Sequence, residues 1–494
     1  MMRLRSFIKP TGIVSVFGSL LLLPLQAEDQ KTQYNVLFMI ADDLTATALS
    51  CYENKACQTP NIDKLASAGT RFTHAYCQFP VCGPSRASFM SGYYPHATKT
   101  FGYTSGRKAI GAERATWSQH FKNHGYQATR VSKIFHMGVP GDIERGTNGA
   151  DDVASWSERF NSQGPEVFCP GKAVLLQGNP DGTKKVRGGN TLEYNIAEGD
   201  DLVHSDGKTA AKAVELIAQY KNQPFFLAVG FVRPHVPFVA PAKYYDAYPF
   251  DRVQLPESVD GDWEDIPKAG INYRTSPGMQ LDDRMKREGI GAYYASVSYM
   301  DAQLGKVMDA LEKNGLSDNT IVIFTSDHGF HLNEHDFWMK VGLMEESSRV
   351  PLIIKVPGQK PAVCHSFAEL LDLYPTVSEL CGLPVPEHIQ GKSLKPVFED
   401  PTFSVRDFAF SVNGKSLLVR NKKWAYIQHG EDASLGMQLY DMENDPKQFT
   451  NLAQQEGFKA TVAQLQGVLK AKLEEVRSND LGIDYTPRKK KRKK

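Results

Sequence analysis

The 494-residue sequence lacks an excess of either charge, because 57 basic side chains are balanced by 56 acidic ones. A dedicated nucleic-acid binder is normally far more basic, so we expect no nucleic-acid partner. Beyond the N-terminal stretch, no segment contains the roughly 18 consecutive apolar residues that a stable membrane span needs. None of the seven cysteines shows C-x-x-C spacing, which leaves a zinc ribbon or a thioredoxin-like site without support.

The two ends of the chain differ in composition from the rest. Residues 1–27 join a basic segment to an apolar stretch at 12–25 and end on a small-residue site at 25–27, the layout of a secretory signal peptide. We therefore expect export to a periplasmic, secreted or lysosome-like compartment; a permanent N-terminal anchor is the alternative. Residues 488–494 are all Arg or Lys and predict a disordered basic tail, which either binds a polyanion or a membrane surface or has no partner.

Export would permit disulfides, but the pairing of the cysteines cannot be deduced from the sequence. Because the count is odd, at least one thiol stays unpaired. We predict that Cys82 is the unpaired cysteine.

Short apolar runs alternate with helical patterns along most of the chain. The helical patterns cover residues 62–68 and 294–311, and the second closes on Asn314-Gly315. Runs with apolar residues on both faces predict central strands at 35–40, 224–229, 320–324 and 351–354. This alternation predicts an α/β fold with a parallel or mixed sheet that helices cover on both faces.

Three regions depart from this pattern. Residues 140–205 and 251–290 are rich in Gly, Pro, Asp and Asn, and we interpret them as surface insertions that line a substrate cleft. From about residue 405, the pattern predicts a helix at 460–476 preceded by short antiparallel strands at 408–412, 416–420, 424–428 and 438–441. We therefore predict a catalytic domain over residues 28–400 and a smaller C-terminal α+β subdomain over residues 401–487.

Acidic residues follow two of the predicted strands. Asp42 and Asp43 come just after the first strand, and Asp327-His328 follows the strand at 320–324. Ligands of open α/β sheets bind beyond the carboxyl ends of the strands, so these side chains should converge. Converging carboxylates repel one another unless a cation joins them, and oxygen ligands favour Ca²⁺ or Mg²⁺ over zinc. For Asp42-Asp43 alone, a helix cap is the simpler alternative.

The run Cys82-Gly83-Pro84-Ser85-Arg86, with Gly92 ten residues after the cysteine, is the most specific motif. It resembles the signature of type I sulfatases, in which a maturation enzyme (formylglycine-generating or anaerobic sulfatase-maturing) oxidises the cysteine to formylglycine. The alternative is an ordinary buried or disulfide-bonded cysteine. The resemblance implies an alkaline-phosphatase-like α/β/α sandwich and a bound Ca²⁺.

The implied chemistry explains why an unmodified cysteine would not suffice. The hydrated aldehyde carries two hydroxyls on one carbon: one attacks the sulfur of a sulfate ester, and the other then expels sulfate and restores the aldehyde. A serine or cysteine has no second hydroxyl and would remain trapped as the ester.

The resemblance extends over nearly the whole chain after residue 27. Beyond the cysteine motif it includes segments at 60–76, 133–136, 233–238, 329–340, 346–352, 439–441, 444–446 and 451–452. The K-x-x-H spacing of Lys133 and His136, in its Ser-Lys-Ile-Phe-His context, is closest to the iduronate-2-sulfatase branch. That branch is also similar in using His where His328 stands, whereas many family members use Asn.

The resemblance assigns a role to each matching position. The metal ligands would be Asp42, Asp43, Asp327, His328 and the modified Cys82. The remaining catalytic residues would be Arg86, which holds the modified residue, Lys133 and His136, which stabilise its hydrate and the sulfate, and His235 and Lys340, which contact the sulfate. A sugar alkoxide is a poor leaving group, so a general acid is required, with His235 as first choice and Lys340 as second.

The implied function is removal of sulfate from a sulfated sugar, such as a 2-O-sulfated uronic acid of a glycosaminoglycan or an algal-type polysaccharide. One rival is a phosphomonoester or phosphodiester hydrolase of the same superfamily, and another is a glycan-binding protein without activity. The segment His331–His335 also matches the H-x-x-E-H pattern of zinc peptidases. That pattern needs a helix, and no helical period is present here, so we interpret the match as coincidence.

Overall fold

The computed structural model describes residues 33–177 and 191–485. The predicted signal peptide at 1–27 and the basic tail at 488–494 lie outside the described residues. Within them, the strands are β1 Asn35–Ala41, β2 Thr70–Tyr76, β3 Gln127–Ser132, β4 Glu158–Phe160, β5 Gly171–Leu175, β6 Glu193–Ala197, β7 Phe225–Gly230, β8 Phe238–Pro241, β9 Thr320–Ser326, β10 His331–Leu332, β11 Trp338–Met339, β12 Arg349–Lys355, β13 Ala362–Glu369, β14 Phe408–Asn413, β15 Ser416–Asn421, β16 Trp424–His429 and β17 Met437–Asp441. The helices are α1 Pro60–Ala68, α2 Cys82–Ser91, α3 Pro95–Thr98, α4 Arg107–Ile110, α5 Trp117–Asn123, α6 Gly141–Arg145, α7 Ser205–Tyr220, α8 Asp283–Lys313, α9 Glu345–Ser348, α10 Leu373–Leu380, α11 Lys395–Glu399 and α12 Lys459–Arg477.

Eight strands form the main sheet, in the order β13-β2-β12-β9-β1-β7-β3-β4. Strand β1 is parallel to both β7 and β9, whereas β12 is antiparallel to β2 and β9. The central strands β1, β7 and β9 are buried along their whole length, which is why their sequences are apolar on both faces. The predicted mixed α/β sheet is confirmed.

Helices cover both faces of this sheet. The alternating side chains of β1 divide between two hydrophobic cores, with Leu37 in one and Phe38 in the other. The first core includes residues of α7 and α8, and the second includes residues of α2, α5 and α10. The result is an α/β/α sandwich whose central strands carry loops at their carboxyl ends.

The C-terminal part contains a separate antiparallel sheet in the order β14-β15-β16-β17. All four predicted strands and the final helix, α12, are present. Apolar residues of α12, such as Leu465 and Leu469, pack with Phe410 and Val419 of the sheet. Amphipathic alternation in short strands was therefore a reliable signal in this region.

Two predictions need correction. The predicted insertion at 251–290 ends earlier than expected, because α8 begins at Asp283. The Asp282 carboxylate accepts a hydrogen bond from Met285 N–H and so caps the helix. Glycines at 289 and 291 obscured this first part of the helix.

Cys82 is not the only unpaired cysteine, because all seven are free thiols, most of them buried at separate positions in the cores. No helix among the described residues combines the length and the apolar character that a membrane crossing requires.

A buried ion cluster joins the C-terminal part to the main sheet. The Arg406 guanidinium donates to Glu369 at 2.5 Å and also to Asp372, and the side chains of both acids are fully buried. The second oxygen of Glu369 accepts a hydrogen bond from Phe410 N–H at 2.7 Å. The end of β13 and the start of β14 are thus held by one set of charges.

We expect Arg406→Leu to lower the free energy of unfolding by about 3–5 kcal/mol, because it leaves two buried carboxylates without a cation. Chemical denaturation followed by circular dichroism measures this loss. Lys447→Leu is the control, since its ion pair with Glu257 is exposed and should contribute less than about 1 kcal/mol. Equal losses in the two variants would contradict this account of the cluster.

Candidate active site

The carboxyl ends of four neighbouring strands supply one cluster of polar side chains. Asp42 follows β1, Lys133 follows β3, His235 lies in the loop after β7, and Asp327 follows β9. Because β1, β3, β7 and β9 run in the same direction and are adjacent, their ends meet at one edge of the sheet. These residues are far apart in the sequence, but the order and direction of the strands bring them together.

Cys82 is the first residue of α2 and is buried at the centre of this cluster, with 1% of its surface exposed. Its Sγ lies 3.3 Å from His328 Nε2, 3.3 Å from Lys340 Nζ and 3.7 Å from Asp43 Oδ1. Burial, reinforced by the negative charge of Asp42, raises the pKa of the Cys82 thiol. The unmodified thiol is therefore protonated and a poor nucleophile at neutral pH.

Buried ion pairs hold the carboxylates around Cys82. Arg86 donates from Nε to Asp327 at 2.8 Å and from a terminal nitrogen to Asp42 at 3.4 Å, and Lys133 also pairs with Asp42. Burial alone would raise the pKa of Asp42, but the surrounding positive charges, Lys133 first among them, together outweigh it, so this pKa is well below its usual value. Arg86 additionally donates to the carbonyls of Lys133 and Ile134 at 2.6 and 3.0 Å, which fixes its guanidinium between two strand ends.

Asp43 is held from several sides. Lys340 Nζ donates to its two oxygens at 2.8 and 3.0 Å, and His328 Nε2 lies 3.1 Å from Oδ1. Its backbone φ is 65°, a left-handed conformation that costs free energy in a residue with a side chain. Tyr293, from α8, donates to the Asp43 carbonyl at 2.7 Å and accepts from Thr45 N–H, which stabilises this turn.

His235 and Lys340 form a pair at the open side of the cluster. Nδ1 of His235 donates to the Val236 carbonyl at 2.5 Å, so Nε2 accepts from Lys340 at 3.1 Å. Burial lowers the pKa of His235 to about 3. Burial would also lower the pKa of Lys340, but the negative charge of Asp43, reinforced by that of Asp42, holds it well above its usual value. The pair thus contains a neutral imidazole and a charged ammonium.

His136 lies nearer to the surface than the other candidates. Its ring stacks on Tyr103, with 4.2 Å between the centroids, and its Nδ1 is buried with no hydrogen-bond partner among the described residues. Burial, together with the charge of Lys133, lowers the pKa of His136 to about 2. The structure therefore brings all ten predicted site residues into one place, with His136 at its edge.

The donor set fits a hard divalent cation. Side-chain atoms of Asp42, Cys82, Asp327 and His328 lie within 4.8 Å of one another, and so do those of Asp42, Asp43, Cys82 and His235. Carboxylates supply two of the four donor residues in each set, and their hard oxygens suit Ca²⁺. The residues present are therefore compatible with the predicted cation.

Sequence reasoning missed residues that support or border this cluster. Ser85 donates to the Asp327 carbonyl at 2.5 Å, and Tyr293 supports the Asp43 turn. Ser85 stands inside the cysteine motif and could have been assigned a supporting role, whereas Tyr293 and Tyr103 carry no local signal. The H-x-x-E-H match is a coincidence, as predicted: His331 lies on strand β10 and His335 has a φ of 56°, so no helix presents the two rings on one face.

Comparison with known proteins agrees with this geometry. The model of the family described as "Sulfatase" matches residues 34–383, and a model of the C-terminal region of N-sulphoglucosamine sulphohydrolase matches residues 333–479. A sulfatase of Formosa agariphila is 32% identical over 461 residues, covering 90% of this chain and 88% of the relative. Iduronate 2-sulfatase of Mus musculus is 31% identical over 460 residues, covering 84% of this chain and 76% of the relative.

Solved structures share the fold. A 2-O glycosaminoglycan sulfatase superposes with a TM-score of 0.68 at 22% identity and covers 90% of this chain and 93% of its own. A phosphonate monoester hydrolase of Agrobacterium radiobacter superposes with a TM-score of 0.73 at 20% identity, covering 89% of this chain and 96% of its own. The predicted alkaline-phosphatase-like fold is thereby confirmed. With a family match over most of its length, this chain belongs to the sulfatase family of sulfuric ester hydrolases.

Proposed function

We propose that the protein hydrolyses the sulfate ester of a sulfated sugar, with a 2-O-sulfated uronic acid as the substrate unit, using a formylglycine made from Cys82 and a Ca²⁺ ion. The observation that carries this proposal is the position of Cys82 Sγ, within 3.3–3.7 Å of His328, Lys340 and Asp43 at the start of α2. A nucleophile at this point is next to both the proposed cation ligands and the side chains proposed to bind sulfate.

The absent groups would supply the chemistry that the unmodified chain lacks. Asp42, Asp43, Asp327 and His328 would hold Ca²⁺, which would stabilise negative charge on the sulfate oxygens. Formylglycine at Cys82 would supply, as its hydrate, one hydroxyl for attack on sulfur and another for release of sulfate.

The residues of the chain provide orientation and positive charge. Arg86, fixed by Asp327 and by two backbone carbonyls, holds α2 and its first residue against the strand ends. Lys133 pairs with Asp42 and Lys340 pairs with Asp43, and each provides an ammonium group for the sulfate oxygens. Because these side chains are buried and already held by ion pairs, little reorganisation is needed when the substrate binds.

We propose His235 as the general acid that protonates the sugar oxygen, and its neighbour Lys340 as the source of positive charge beside it. An anionic substrate would raise the pKa of the imidazole by placing negative charge next to it.

His235→Gln is expected to lower kcat/KM about 10²- to 10⁴-fold on a sugar sulfate, whose alkoxide leaves poorly without a proton. The loss on nitrophenyl sulfate should be much smaller, because nitrophenolate leaves without protonation. Steady-state kinetics on the two substrates measures the difference. If both rates fell equally, His235 would not be the general acid, and the same comparison on Lys340→Gln would test the second candidate.

The 1% exposure of Cys82 bears on its maturation. A maturation enzyme needs access to the thiol and its flanking residues, and the whole of α2 is buried in the folded chain. We therefore propose that a formylglycine-generating or anaerobic sulfatase-maturing enzyme acts before this segment folds. This timing fits the proposed export of the chain through its N-terminal segment.

Mass spectrometry of the tryptic peptide Phe72–Arg86, from active enzyme made in its native host, tests the proposed nucleophile. We expect the mass of a peptide in which an aldehyde replaces the thiol. An unmodified Cys82 in fully active enzyme would contradict the proposal.

The rival phosphomonoester or phosphodiester hydrolase shares the fold, as the phosphonate monoester hydrolase neighbour illustrates. Rates on aryl sulfate and aryl phosphate separate the two functions. We expect sulfate release to be faster; a clear preference for the phosphate would favour the rival.

A further inference from the structure

An open groove at the surface includes His136, the residue at the edge of the buried cluster, in its lining. Its volume is about 680 Å³, within the range of small-molecule sites. It is lined by Tyr103, His136, Asp142, Arg145, Thr147, Asn148, Gly149 and Ala150. Because His136 lines this groove and also interacts electrostatically with Lys133 and Asp42 of the cluster, a substrate whose sulfate reached Cys82 would extend into the groove.

Tyr103 lines the groove and packs against two residues of the site. One face of its ring stacks on His136 at 4.2 Å and 21°. A Cβ added to Gly83, the residue after Cys82, would lie 2.8 Å from Tyr103 Cδ1, so the tyrosine packs directly against the backbone beside the nucleophile. Nevertheless Tyr103 is 54% exposed. A fixed, exposed aromatic face next to a reaction centre is suited to contact the apolar face of a sugar ring.

Arg145, at the end of α6, supplies positive charge to the lining of the groove. Its side chain is 67% exposed, and its ion pair with Asp142 is long, at 3.4 Å. The Asp142 carboxylate is already engaged, because it accepts from Gly138 N–H at 2.6 Å and from Thr147 Oγ1 at 2.5 Å. The guanidinium is therefore available to an anionic group of a ligand.

A second exposed tyrosine reaches the site from the segment at 251–290. Asn272 donates to the Lys340 carbonyl at 3.4 Å, and the Tyr273 hydroxyl donates to Met339 Sδ at 3.8 Å, so this segment lies along the chain that carries Lys340. Desolvation raises the pKa of Tyr273, and the charge of Lys340 opposes this shift. Both insertions thus contribute to the mouth of the site.

We propose that Tyr103 and Arg145 form a subsite for a sugar ring that bears a second anionic group, with the ring on Tyr103 and the anion on Arg145. The inference rests on the proposed sulfatase function and specifies what else its substrate carries. A carboxylate and a second sulfate offer the same anionic chemistry, and the substrates below distinguish them.

Arg145→Gln tests the anion contact on four substrates: nitrophenyl sulfate, a disaccharide with a 2-O-sulfated uronic acid, its carboxyl-reduced counterpart, and a reduced counterpart carrying a second sulfate. For the disaccharide whose second anionic group binds Arg145, we expect the variant to lower kcat/KM about ten- to hundredfold more than it does for the carboxyl-reduced disaccharide, mainly through KM. A larger loss of kcat/KM on the uronic acid disaccharide would identify a carboxylate as the group bound by Arg145, and a larger loss on the disaccharide with a second sulfate would identify that sulfate.

Arg284→Gln is the matched control, because Arg284 is also an exposed helical arginine (64%) in an ion pair within its own helix, and it does not line this groove. This variant should leave the ratio of kcat/KM values, for the disaccharides with a second anionic group over the carboxyl-reduced one, as in the wild type. An unchanged ratio in Arg145→Gln would overturn the anion contact.

Tyr103 is tested by the pair Tyr103→Phe and Tyr103→Leu on the preferred disaccharide. The phenylalanine retains the aromatic face and should stay within about twofold of the wild type, whereas the leucine should lose about three- to tenfold through KM. Equal kinetics of the two variants would overturn the stacking role. Hydrolysis of the disaccharides that neither the Arg145 nor the Tyr103 variants alter would refute the subsite alone, whereas a wild type that hydrolyses no sulfated disaccharide would refute the proposed function itself.

Discussion

Cys82→Ala is expected to reduce sulfate release from aryl and sugar sulfates at least about 10⁴-fold, the scale on which enzymes lose activity when a nucleophile is removed. The side chain is at the centre of the buried cluster, and no other hydroxyl or thiol among the described residues is recorded in contact with His328, Lys340 and Asp43 together. Water would have to replace the nucleophile without the covalent step. Product release measured over hours, with enzyme in excess, detects the residual rate.

Cys381→Ala is the matched control for this prediction. Cys381 is also a buried free thiol, with its Sγ 3.7 Å from the Tyr34 carbonyl, but it lies just beyond α10, in the core of the sheet's second face. The variant should keep full activity per folded molecule. A Cys82→Ala enzyme that released sulfate at the wild-type rate would disprove a nucleophile at this position, whatever the modification state of the native residue.

Much of the fold was predictable because its signals are local. A strand buried on both faces must be apolar throughout, so β1, β7 and β9 were visible as short apolar runs. Residues that follow such strands converge when the strands are parallel and adjacent, and this single rule places Asp42 and Asp327 together.

The features of the fold and the site that the sequence did not predict depend on contacts between distant segments. Tyr103 lies against Gly83 and His136 because a loop folds back over the start of α2, and no period or motif in that loop indicates it. The pairing of Lys340 with His235 likewise joins two loops far apart in sequence. The cysteines were misjudged for a related reason: an odd count requires one free thiol but does not require the others to pair.

Calcium is expected to bind the wild-type protein and to raise its melting temperature, whereas Asp327→Asn should weaken Ca²⁺ binding at least about tenfold. Each carboxylate removed from a Ca²⁺ site lowers the ligand charge on which its affinity depends. At a concentration a hundred times Kd, a ligand that binds only the folded state stabilises it by about 2.7 kcal/mol. Isothermal titration calorimetry and thermal unfolding, with and without a chelator, measure both effects apart from activity.

Asp301→Asn separates this effect from the general cost of altering a buried aspartate. Asp301 lies in α8 and accepts from Ile62 N–H at 2.8 Å, outside the cluster. Its variant should lose some stability but bind Ca²⁺ like the wild type. If Ca²⁺ left the melting temperature of the wild type unchanged, or if the two variants bound it equally, the cation would not occupy the proposed site.

The charge balance of the cluster predicts a further property of this binding. Asp42, Asp43 and Asp327 already have cationic partners in Lys133, Lys340 and Arg86, respectively. A divalent cation therefore adds positive charge to a buried region that is close to balanced, and an anion must compensate it. Sulfate should consequently bind more tightly with Ca²⁺ present, and Ca²⁺ more tightly with sulfate by the same factor, because the coupling of two ligands is reciprocal. Calorimetric titrations in both orders would reveal independent binding if this account of the cluster were wrong.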